Sequence, residues 1–75
     1  MNVQRRVKAN EVKEALEALL PHIEFLIEEE QSALEGIPES MQTRIERCEG
    51  TISDLEESKS SVEEAIGQLE SAVEQ

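Results

Sequence analysis

Residues 28–42 read EEEQSALEGIPESMQ, and the interruption inside them decides the architecture. A chain rich in strong helix formers stops at Gly36-Ile37-Pro38 and starts again at once. Glycine can close a helix by turning left-handed, Ile37 can fold back onto the last turn, and Pro38 cannot continue the hydrogen-bond ladder. A new helix then begins with Pro38 in its first turn or Ser40 as its N-cap, with Glu39 placing negative charge where the helix dipole favours it. So short a connection makes the neighbouring helices antiparallel. The spacing predicts one domain, residues 1–75: a first helix over about 3–35, a turn over 36–38 and a second helix over about 39–74.

The second half carries the cleaner pattern. From Met41 the apolar residues fall at 41, 45, 48, 52, 55, 62, 66, 69 and 73, a 4-3 spacing interrupted only at Lys59. That is a heptad repeat, with Ile45, Ile52, Lys59, Ile66 and Val73 at position a and Met41, Cys48, Leu55, Val62 and Leu69 at d. Its e column is Glu49, Glu56, Glu63 and Glu70. A helix of this length spans on the order of 50 Å.

The first half reads in a similar register, with Ala9, Leu16, Ile23 and Glu30 at a and Val12, Leu19, Leu26 and Ala33 at d. Here the e column is also apolar, through Leu20, Ile27 and Leu34. Ala15, Ala18, His22 and Phe25 line the opposite flank. One helix cannot cover so wide a face, because the stripe of a two-stranded seam is narrower. The expectation is an all-α antiparallel hairpin that dimerises, or assembles further, into a four-helix bundle. Its interface draws on Leu16, Leu19, Leu20, Ile23, Phe25, Leu26, Ile27 and Leu34, with Ile52, Leu55, Val62 and Ile66 from the second helix. Pro21 lies in the middle of the first helix, yet the heptad phase runs through it. It is read as a kink in a continuous helix on the solvent side, or as the start of a new helix.

Two polar residues interrupt the apolar columns. Lys59 faces the Leu16 to Leu20 region and either specifies register or packs its stem while its ammonium reaches a carboxylate such as Glu17. Glu30 is expected near Arg44 and Arg47, and the basic Arg5, Arg6, Lys8 segment beside Glu63, Glu64, Glu70 and Glu74. Exposed pairs of this kind set register more than stability.

Composition narrows the functional classes. The chain has 75 residues, 18 acids against seven bases, a net charge of −11, one histidine and one cysteine. Four of the bases (Arg5, Arg6, Lys8, Lys13) lie in the first 13 residues, so the remainder is intensely acidic. Such a field repels nucleic acid and anionic membranes and favours encounter with a basic protein surface. Lone Cys48 and lone His22 cannot form a disulfide or a metal cluster, and a reducing cytoplasm suits them. No segment approaches the roughly 18 apolar residues of a membrane span. Gly36, Gly50 and Gly67 are isolated, so there is no phosphate-cradling loop, and no serine sits in a recognisable catalytic motif. The expectation is a non-enzyme with no cofactor, acting through surfaces: Phe25 and His22 as an apolar contact, and Glu49, Glu56, Glu63 and Glu70 as an acidic one that can imitate nucleic-acid phosphates.

The stretches EEEQSALEGIPESMQ and ISDLEESKSSVEEAIGQLESAVEQ resemble small acidic helical-hairpin proteins of bacteriophages and mobile elements. That resemblance implies a hairpin and an accessory role, including inhibition of a bacterial defence protein in the host cytoplasm. It transfers no site residue. In architecture the dimeric hairpin also looks like the Rop-like RNA-binding hairpins. RNA binding of that kind wants an exposed basic stripe, whereas here Arg5, Arg6, Lys8 and Lys13 cluster at one end without aromatic neighbours. The remaining alternative is a purely structural module that joins larger coiled coils.

Overall fold

A computed structural model describes all of residues 1–75 as two long helices, α1 (Val3–Glu35) and α2 (Gln42–Glu74). They pack side by side along their whole length, giving a rod of 59 × 15 × 11 Å with no strand. Asn2 opens α1 with its side-chain oxygen accepting from the Arg5 backbone N–H at 2.8 Å. That is the N-cap geometry which satisfies one of the donors a helix start leaves unpaired.

α1 runs unbroken through Pro21, which is exposed. Proline's missing N–H leaves the Glu17 carbonyl without its usual helical partner. An outward position lets water take that carbonyl, so the helix continues.

The connection differs from the sequence expectation in length and conformation. It occupies residues 36–41 rather than 36–38, and α2 begins at Gln42 rather than near 39. Gly36 is right-handed, with φ −85° and ψ −5°, so the left-handed closure expected of it is not used. Instead the last turn of α1 tightens: the Gly36 N–H donates to the Ala33 carbonyl at 3.2 Å and the Ile37 N–H to Leu34 at 3.1 Å. Pro38 then heads a turn closed by the Met41 N–H donating to its carbonyl at 2.9 Å. Met41, not Ser40, is the N-cap of α2, and no side chain caps that end. The exposed N–H groups there are left to water.

The core is thin. Only Ala9 and Ile52 are buried, neither of them completely, and Ile52, at 8% exposed, is the only large one of the two. The half-buried residues trace the seam. On α2 they are the heptad positions read from the sequence, Ile45, Cys48, Leu55, Lys59, Val62, Ile66, Leu69 and Val73 around Ile52, joined at g by Ala65 and Ala72. On α1 the engaged columns are a and e: Leu16, Leu20, Ile23, Ile27, Glu30 and Leu34, following Ala9 and Lys13. The d column is not part of this seam. Val12, Leu19, Leu26 and Ala33 are all exposed. The accessible surface is 5641 Å², against about 4,600 Å² for a compact protein of this mass.

Candidate functional site: the outer face of the first helix

Three stripes divide α1 around its axis. At about 100° per residue, the a and e columns face α2, and the b and f columns, with Glu14, Glu17, Pro21, Glu24 and Glu28, are wet. The remaining third is apolar and faces nothing. Its centre holds Leu19, 50% exposed, Leu26, 49% exposed, and Phe25, 58% exposed. Val12, Ala15, Ala18 and His22 complete the patch, all exposed. Phe25 is the chain's only aromatic residue, and an exposed aromatic beside two leucines is the composition of a contact centre rather than of a solvated face.

The interface residues expected from sequence therefore fall into two groups. Leu16, Leu20, Ile23, Ile27 and Leu34 of α1, with Ile52, Leu55, Val62 and Ile66 of α2, lie in the seam inside the hairpin. Leu19, Phe25 and Leu26 lie outside it, with His22. α2 adds almost nothing to the exposed apolar surface; Met41, just before it, is the only large exposed hydrophobe in the second half of the chain.

The polar residues of the seam take partners other than those expected. The Lys59 ammonium lies 3.4 Å from Glu24, not Glu17. Lys59 lies beside Ile27, Glu28 and Gln31 rather than the expected Leu16 to Leu20 region, with its ammonium at the solvent edge as in the snorkelling arrangement. Glu30 forms no ion pair with Arg44 or Arg47. It instead receives the Cys48 thiol, which reaches the Glu30 backbone carbonyl at 3.4 Å and its carboxylate at 3.6 Å. Partial burial and then the hydrogen bond and negative charge of Glu30 push the Cys48 thiol above its ordinary value. The thiolate is the reactive form, so Cys48 is a packing residue in a thiol state.

At the open end of the hairpin one cross-helix pair forms, Lys13 to Glu70 at 4.0 Å. Lys8 turns to Glu11 of its own helix at 3.6 Å, while Arg5 and Arg6 form no ion pair. No ion pair joins Arg5, Arg6 or Lys8 to Glu63, Glu64, Glu70 or Glu74, the acidic stretch beside which they were expected. Of the acidic column on α2, Glu49, Glu56 and Glu63 are exposed and unpaired, and Glu70 is held by Lys13. No three His, Cys, Asp or Glu side chains converge as a metal site, and no helix is long and apolar enough to cross a membrane. The wide outer face was legible in the sequence as too much apolar surface. Which columns would be left outside was not.

The fold and this surface define a class: an antiparallel helical hairpin with one unpartnered apolar face and a strongly acidic remainder. The chain matches no family model, no curated protein and no solved structure.

Proposed function

We propose that the protein is a non-enzymatic interaction module that pairs with a second copy to form a four-helix bundle and presents its acidic surface to a protein with a basic surface. The observation carrying this reading is the exposed cluster of Leu19, Phe25 and Leu26 on α1. Monomeric proteins rarely keep such a patch in water. The net charge of −11 and the unpaired Glu49, Glu56 and Glu63 supply the second surface. Together with the resemblance to phage accessory hairpins, they support a protein of the cytoplasm that binds and inhibits a host protein, with Phe25 and His22 in the apolar contact.

Capture from a bacterial lysate tests the acidic surface, comparing the wild type with a Glu49→Gln, Glu56→Gln, Glu63→Gln triple variant. A basic-surfaced partner held by the wild type, released by salt and lost by the triple variant supports the reading. Equal capture by both proteins, or none by either, contradicts it. One observation favours a second reading, RNA binding through the basic end, because Arg5 and Arg6 are free of the C-terminal glutamates. A gel-shift titration with structured RNA decides between them: the acidic-surface reading expects no shift at physiological salt.

A further inference from the structure

The outer face of α1 has an order of charge along it. Stepping in threes and fours from its start, the stripe is basic at Arg5 and Lys8, apolar from Val12 through Leu19 to Leu26, and acidic at Glu29. All of these residues are exposed, and Arg5 and Glu29 form no ion pair within the chain. The order runs against the helix dipole, which favours acids at the start and bases at the end. The isolated helix gains nothing from it.

We propose that this stripe is the contact between two copies of the chain, packed antiparallel about a twofold axis near Leu19, so that Arg5 and Lys8 of each copy lie against Glu29 of the other. The proposal rests on the reading that the hairpin pairs with itself and fixes how it does so. A twofold interface uses the same patch on both copies and must be complementary to itself. This stripe has that property in one orientation only. A parallel pairing sets Lys8 against Lys8 and Glu29 against Glu29; the antiparallel pairing turns both into opposite charges and opposes the two helix dipoles. Val12 of one copy then stands near Leu26 of the other, and the small Ala15 makes room for His22. A foreign partner does not require the patch to match itself.

The rod exposes 5641 Å², about 1,000 Å² above a compact protein of its mass, so its elongated shape leaves surface that a second copy can cover. α2 is not a competing contact, because its heptad residues already face α1 and its outer e column is acidic. Rim charges of this kind choose orientation more than they supply affinity.

Single-cysteine variants in a Cys48→Ser background test the orientation. Lys8→Cys and Glu29→Cys proteins are treated with a short bismaleimide, each alone and as a mixture, after circular dichroism has confirmed their helicity. Efficient cross-linking only in the mixture is the expected result, since the two Lys8 positions of an antiparallel pair lie on the order of 30 Å apart. Self-cross-linking of either variant alone, or no cross-linking in the mixture, overturns the proposal. Charge exchange provides the second readout. Lys8→Glu or Glu29→Lys alone is expected to weaken dimerisation roughly tenfold at low salt, and the double variant to recover most of that loss. A double variant no better than the singles also overturns it. Light scattering on the wild type separates the two levels: a monomer removes the pairing itself, whereas a dimer with the wrong cross-links removes only the antiparallel arrangement.

Discussion

Gly36, Gly50 and Gly67 all occupy ordinary right-handed backbone or helix, so none is needed for its conformational freedom. A Cβ on Gly50 or Gly67 meets no atom within 4 Å, and one on Gly36 meets the Ala33 carbonyl at 3.6 Å, an ordinary contact. Alanine at Gly50 or Gly67 is expected to raise unfolding free energy by about 1 kcal/mol, and at Gly36 by about 0.4–1 kcal/mol, in urea titrations. A loss of stability for Gly36→Ala would show that the loop depends on a left-handed state. Cys48 gives a pH prediction at the same scale. Its thiol is raised in the folded chain by partial burial and Glu30, so above the ordinary thiol range the unfolded chain releases a proton that the folded chain keeps. Stability then falls with rising pH over that interval. Melts from neutral to alkaline pH should show a loss that Cys48→Ala lacks; identical profiles contradict the assignment.

The two helices were not equally readable. α2 has its large apolar residues in only two columns, with the small Ala65 and Ala72 beside them at g, so its periodicity left one possible seam, and Ile45 through Val73 lie there. α1 has apolar residues in every column, in b and f only through Val3 and Val7 at its start, and periodicity cannot choose among neighbouring stripes when several are apolar. The packed choice brings in Leu20, Ile27 and Leu34 from e, leaving the d column with its smaller Val12 and Ala33 outside. Gly36 misled for a different reason: its residue type permits the left-handed state, but the i→i−3 bonds closing α1 need only a right-handed turn. Two substitutions probe the elements themselves. Pro21→Ala restores a donor to the Glu17 carbonyl and should stabilise the hairpin by about 1–3 kcal/mol. An unchanged or lower midpoint would mean that α1 does not run continuously through this position. Lys59→Leu replaces a half-exposed stem in the seam with a fully apolar side chain, at the loss of the Glu24 pair. Exposed pairs contribute about 0–1 kcal/mol and the added burial about 1–2 kcal/mol, so a small net gain in denaturant midpoint is expected. A marked loss would give Lys59 the register-setting role.

At the scale of the whole molecule, two helices of 33 residues bury only two side chains when they fold back on each other. A chain this small seldom stands on such a core without staples or association. Along the middle of the hairpin the shortfall falls on one surface, the third of α1 that carries Leu19, Phe25 and Leu26, with Met1, Val3 and Val7 exposed beyond it at the open end, while the b and f columns from Glu14 onward stay wet. The surface we propose for association and the acidic one we propose for recognition are thereby physically separate. The most direct test is the solution mass by multi-angle light scattering at micromolar concentration, comparing wild type with Leu19→Glu. A wild-type particle of twice 8.4 kDa that falls to a single chain on substitution is the expected result. A wild type that remains a fully helical 8.4 kDa monomer contradicts the account.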